Sequence, residues 1–195
     1  MPTASPKVSV TSDRPLSRSS ESPGVVRSSA ACALAAVEAF FDAPAIEEVV
    51  ADAFGTATSP GRFEVVRTKP LVVLDGAHNT EGAASAIETL DDDFTVTGER
   101  ILVLGVLQPR DPEQLLEALE ADRASVVVCC TAPSPRGVAA DEVARAAEAL
   151  GANAVVEPDV ARAVDRALNL AGEEDAVLIC GSLYVVGAAR TVLVP

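Results

Sequence analysis

From Lys69 onward the chain alternates short apolar runs with amphipathic stretches, and no other feature constrains its fold as tightly. The apolar runs occupy 71–74, 101–107, 125–130, 154–156 and 176–180. Helical patterns fill 81–90, 112–119, 140–150 and 160–171, and a last one follows at about 185–192. The runs show no polar alternation, so each reads as a strand covered on both faces. Strands separated by helices close through right-handed crossovers into layered sheets. The expectation is an α/β fold: a doubly wound, mainly parallel sheet with helices on both faces. With 49 % hydrophobic residues but only 3 % aromatic and no Trp, its core must be built from Val, Leu and Ala.

The lead-in to this alternation is different. Residues 1–24 are rich in Ser, Pro and Thr and cannot bury enough apolar surface to offset the entropy of ordering, so a disordered or irregular segment is expected there. Ser28-Ser29 offers an N-cap for a helix over 30–41, with Leu34, Val37 and Phe41 at helical spacing. Pro44 can open a second short helix ending near Phe54, and a strand is expected over 63–66. Residues 25–195 then form one domain, with a helical lead-in at 28–54 and a sheet core at 62–195.

A net charge of −14 speaks against a partner held through phosphate contacts, such as a nucleic acid, and against an anionic membrane surface. No apolar segment has membrane-spanning length. Cys129, Cys130 and Cys180 sit inside apolar runs, Cys32 in the lead-in, and none has CxxC spacing. Free thiols in a reducing cytoplasm are expected, with no metal site in this chain.

Chemistry gathers where the first run stops. Leu71-Val72-Val73-Leu74 ends at Asp75-Gly76-Ala77-His78-Asn79, which places a carboxylate at the strand's carboxyl end, where open α/β sheets hold ligands. Histidine as a residue type can carry protons near neutral pH, so His78, the only one, suits proton transfer or a structural hydrogen bond equally. Asn79 or Thr80 can cap the following helix. Arg62, in Pro60-Gly61-Arg62-Phe63, offers a planar fork for phosphate or carboxylate, or simply a solvated strand start. Arg110 and Arg136 follow the next two long runs on the same expected edge, as rim residues, and Gly181-Ser182 follows the last. Neither GxxxxGK[ST] nor GxGxxG is present, so the chain has no evident way to hold a triphosphate alone.

In series, Gly61-Arg62-Phe63-Glu64, Asp75-Gly76-Ala77-His78-Asn79, Gly105-Val106-Leu107 and Gly181-Ser182-Leu183-Tyr184-Val185-Val186-Gly187 resemble the C-terminal domain of folylpolyglutamate synthase/dihydrofolate synthase, within the Mur ligase group. The resemblance runs from about Val26 to the C-terminus. It implies an ATP-dependent ligase that activates a carboxylate as an acyl phosphate and joins it to the amine of L-glutamate, with folate or dihydropteroate as acceptor. It implies that Arg62 and Asp75 contact ATP, with Asp75 and His78 catalytic and Asn79, Arg110, Arg136 and Ser182 lining the cleft. Ser29 stands where the family usually has an Asn that reaches the nucleotide. The family's P-loop and Mg2+ ligands belong to an N-terminal domain, which this chain would need in cis or in trans. A non-catalytic binding module derived from such a domain, or a Mur-type peptide ligase domain, remains open.

Overall fold

The structure, a computed structural model, describes residues 23–56 and 59–194. Two helices lead in, α1 (Pro23–Phe41) and α2 (Glu47–Thr56). The sheet follows as β1 (Glu64–Thr68) and β2 (Leu71–Leu74), then α3 (Thr80–Asp93), β3 (Arg100–Leu104), α4 (Pro112–Ala118), β4 (Val126–Cys129), α5 (Ala140–Ala149), β5 (Ala154–Val156), α6 (Val160–Leu170), β6 (Ala176–Cys180) and α7 (Leu183–Leu193). The six strands lie in the order β1-β2-β6-β3-β4-β5. Strands β2 to β6 are all parallel, and β1 runs antiparallel along the β2 edge, so the expected doubly wound, mainly parallel sheet is what forms.

Period-two alternation explains how strands without polar residues serve two cores. Val73, Leu102, Leu104, Val127 and Leu178 face one layer with α3, α4 and α5. Val72, Leu74, Ile101, Val103, Val128 and Ile179 face the other, with α6 and α7. Many of these side chains are wholly shielded from solvent, as a sheet covered on both sides requires. Side chains start four of the helices: Asn79, Asp111, Asp159 and Ser182 each accept a backbone N–H from the first turn they cap.

The lead-in departs from expectation. Helix α1 begins at Pro23, whose fixed φ suits a first helical position, so Ser28 and Ser29 lie inside the helix rather than capping it. Residues 1–22 of the segment expected to be irregular lie outside the described residues. Among residues 31–55, whose burial is described, none enters either core, and Phe40, Phe41, Ile46 and Val49 face solvent. Among the described residues no helix is long and apolar enough to cross a membrane.

Candidate functional site

The carboxyl end of β2 gathers the site. Asp75 continues the ladder by donating its N–H to the Ile179 carbonyl, 3.0 Å away. Its side chain then holds two loops together. Oδ2 accepts the Phe63 N–H at 2.6 Å and Oδ1 accepts the Ala77 N–H at 2.7 Å. Burial pushes this carboxyl above its ordinary value of 3.8, against the opposing pull of the two N–H bonds and of nearby Arg62 and His78.

Arg62 sits in a tight turn. Gly61 and Phe63 flank it with φ of 73° and 43°, both in the left-handed region. For phenylalanine that conformation is strained and holds only where neighbours enforce it. Three contacts do so: the Asp75 carboxylate on Phe63, the Gly76 N–H on the Gly61 carbonyl at 2.7 Å, and the Glu64 Oε2 on the Gly61 N–H at 2.8 Å. The Phe63 ring itself is buried against Phe94, 5.6 Å between centroids. The Arg62 side chain is exposed and makes no ion pair among the described residues. It lies over Gly76, where an added Cβ would stand 3.0 Å from Arg62 Nη1.

His78 Nδ1 lies 2.8 Å from the Gly76 carbonyl oxygen. A carbonyl only accepts, so the proton sits on Nδ1 and a neutral ring keeps Nε2 open. Asn79 commits its Oδ1 to the Gly82 N–H at 2.9 Å, which starts α3 and leaves its amide group exposed.

The remaining expected residues are spread along the same edge. Gly181 donates to the Ala77 carbonyl at 2.8 Å, tying the end of β6 to the Asp75 turn. Ser182 is 1 % exposed and its Oγ accepts the Val185 N–H, so it caps α7 and presents no surface to a cleft. The loops after β3 and β4 are zipped by Gln108 N–H to Arg136 carbonyl and Val138 N–H to Val106 carbonyl, at 2.8 and 2.9 Å. Arg110 and Arg136 are both exposed on that zipped pair, separated from Asp75 along the edge by β6. Ser29 lies within α1. Among the described residues no group of three or more His, Cys, Asp or Glu could hold a metal ion.

Two participants escaped the sequence reading. Glu64 was visible only as the end of a motif, and Arg190 not at all. They pair across the fold, Arg190 Nε to Glu64 Oε1 at 3.1 Å. The usable signal was the spacing of Leu183, Val186 and Arg190, which puts all three on one helical face.

Comparisons with known proteins bear on the family and the fold. The model of the family described as Mur ligase, glutamate ligase domain, matches residues 61–183. The dihydrofolate synthase/folylpolyglutamate synthase of Mycobacterium tuberculosis is 38 % identical over 183 residues, covering 83 % of this chain and 37 % of the relative. The crystal structure of the M. tuberculosis folylpolyglutamate synthase complexed with ADP and AMPPCP superposes with a TM-score of 0.77 at 34 % identity, over 84 % of this chain and 38 % of that one. The bifunctional folylpolyglutamate synthase/dihydrofolate synthase of Yersinia pestis, complexed with AMPPNP and a Mn ion, gives a TM-score of 0.72 at 30 % identity, over 81 % and 37 %. The chain spans between 15 % and 39 % of the length of the curated relatives it matches.

Proposed function

This chain belongs to the Mur ligase family, in its glutamate ligase domain, and from that premise we propose that it is the C-terminal domain of an ATP-dependent folate-type glutamate ligase. It would act with a P-loop domain, supplied in cis or in trans, that brings the phosphate loop and the Mg2+ ligands. The reaction has two steps. A folate or dihydropteroate carboxylate attacks the γ-phosphorus of ATP, releasing ADP and leaving an acyl phosphate. The amine of L-glutamate then attacks the acyl carbon, phosphate leaves, and the amine gives up a proton.

One observation carries the reading: Arg62 is presented at the carboxyl edge of β2 by an enforced backbone turn, exposed and without an ion pair among the described residues. A preorganised cation at that place suits phosphoryl transfer, where charge builds on the migrating group. Asp75 already spends one lone pair of each oxygen on the Arg62 turn and the His78 turn. Its first role is therefore to hold those two turns in register, with any nucleotide contact made through the lone pairs left over. His78, with Nε2 open, would receive the proton from the glutamate amine. Asn79 would offer its free amide to the incoming glutamate, and Arg110 and Arg136 would hold carboxylates farther along the rim.

The test is ATP-dependent addition of radiolabelled glutamate to dihydropteroate or tetrahydrofolate, with this chain alone and with a P-loop domain added. Turnover only in the mixture is expected, because the site is assembled by closure of two domains. Vigorous turnover by the chain alone would sink the dependence on a partner. An Arg62→Ala mixture that keeps the full rate would sink the role of Arg62.

A further inference from the structure

We propose that Glu64 and Arg190 form a positioning clamp for Arg62, through which helix α7 sets the direction of that guanidinium. The inference rests on the reading of Arg62 as a nucleotide contact, and its test separates the two.

Besides the local bond from the Arg62 N–H to the Ser59 carbonyl, three bonds hold the strained Gly61–Phe63 turn, and two of them come from the neighbouring Asp75–Ala77 turn. The third comes from elsewhere. Gly61 donates to Glu64 Oε2 at 2.8 Å, and the same carboxylate receives Arg190 Nε on both oxygens, at 3.1 and 3.2 Å. The Glu64 side chain is 13 % exposed and that of Arg190 39 %, so the carboxylate is sheltered while water screens the pair from the arginine side. Arg190 lies in the last turn of α7, and two other residues of the same face press on the site. A Cβ on Gly76 would stand 2.5 Å from Leu183 Cδ2, and one on Gly61 would stand 2.7 Å from Val186 Cγ1. Helix α7 thus touches the site at three successive places: Leu183 under Gly76, Val186 under Gly61, and Arg190 on the carboxylate that grips Gly61.

Electrostatics give the pair a second task. Glu64 stands two residues from Arg62 and is the nearest acid in sequence. Unpaired, it would draw the Arg62 guanidinium down onto β1. Paired with Arg190, its charge is met, and Arg62 stays open to an anionic ligand.

The experiment uses the full chain, with amide hydrogen exchange on the chain and titration of MgATP, in the presence of a P-loop domain, followed by the chain's backbone NMR shifts. For Glu64→Ala, exchange at Gly61 is expected to rise about tenfold, the loss of one charge-assisted hydrogen bond, while β3 and β4 amides keep their protection. MgATP affinity should fall by about the same factor as in Arg62→Ala. Glu64→Gln keeps an acceptor for Gly61 and should retain most of the protection. Arg190→Ala should weaken MgATP, and Arg190→Lys should restore it, a rescue that a merely structural role for α7 would not give. Unchanged Gly61 exchange in Glu64→Ala overturns the clamp, as does equal MgATP affinity in Arg190→Ala and Arg190→Lys. If Glu64→Ala frees Gly61 while Arg62→Ala leaves MgATP affinity intact, the clamp stands and the nucleotide reading of Arg62 falls.

Discussion

Replacing Gly181 by alanine is expected to destabilise this fold by about 2–5 kcal/mol, although the change adds one methyl group. The figure has two parts. Gly181 follows β6 directly with φ of 99°, where an L-residue costs about 1–2 kcal/mol. The added Cβ would also stand 2.6 Å from the Gly105 carbonyl oxygen and 2.7 Å from Leu104 Cδ1. The oxygen belongs to backbone leaving a central strand and cannot swing away as a side chain would, so overpacking adds about 1–3 kcal/mol. For a chain of this size that is a fall in Tm of about 4–20 °C. The control is Gly187→Ala, on the exposed side of α7 with nothing within 4 Å of the new Cβ. It should stabilise by about 0.5–1 kcal/mol, because glycine is a costly helix residue. Urea unfolding at unchanged m separates the pair. A Gly181→Ala loss under about 1 kcal/mol, or a Gly187→Ala loss as large, would refute the claim that close approach at the strand ends holds the site loops together.

Other perturbations test other levels of the structure. The raised Asp75 pKa means that, between 3.8 and the raised value, the native carboxyl keeps a proton that the unfolded one releases. Stability contributed by that group is present at lower pH and lost as pH rises through this window. Relative to Asp75→Asn, wild type should therefore lose urea resistance on going upward from pH 4, and a slope of the opposite sign would contradict the burial argument. Thiol labelling at pH 8 should modify exposed Cys32 quickly and spare Cys129 and Cys130, whose thiols burial pushes up to about 12, together with Cys180, also shifted up. More than one rapidly reacting thiol per native chain would contradict that burial. Asp159→Ala removes the acceptor of the Arg162 N–H at the start of α6 and should cost about 0.5–2 kcal/mol in urea unfolding, with no change in MgATP affinity.

Much of this architecture was legible because an unbroken apolar run with a polar or glycine stop leaves little choice of element. The runs at 71–74, 154–156 and 176–180 coincide with β2, β5 and β6. The run at 101–107 overshoots β3, which ends at Leu104. Val106 and Leu107 are buried all the same, packed beneath the edge loops, so hydrophobicity reported burial and not the ladder. At the start of α1 the rule of small polar caps misplaced the boundary, since Pro23 opens that helix and the serines continue it. In the site, Arg62 and Asp75 were named from one end of the chain, and the Asp75 carboxylate joins their turns through the Phe63 N–H. Arg190 is 126 residues from Glu64, and only the return of β6 between β2 and β3 brings α7 against both turns. Strand order of that kind follows from the whole packing, and no local pattern announces it.

The proposed anion binding along this edge rests on the setting of Arg62 more than on the overall pattern of ion pairs. In a chain with a net charge of −14, an arginine, exposed or half-buried, has acids within easy reach. Arg100, Arg123, Arg145, Arg162 and Arg190 all take one. Arg62, Arg110 and Arg136, on loops at the carboxyl ends of strands, have no such partner among the described residues, and neither do Arg67 on β1 and Arg166 on α6, so the want of a partner does not by itself mark this edge. At Arg62 the reason is structural. Its nearest acid in sequence is occupied by Arg190, and Asp75 has turned both oxygens to backbone N–H groups. Leaving a cation unmatched costs little at the surface, where water solvates it, and it preserves the full charge for a ligand. A site built this way should bind anions in proportion to their charge and lose affinity as salt rises, because an exposed cation is screened within a Debye length of about 8 Å at physiological ionic strength. The same titration of MgATP and MgADP at rising NaCl therefore tests the arrangement: Arg62→Ala should flatten the salt dependence as well as weaken binding, and an unchanged slope would place the anion's contacts elsewhere.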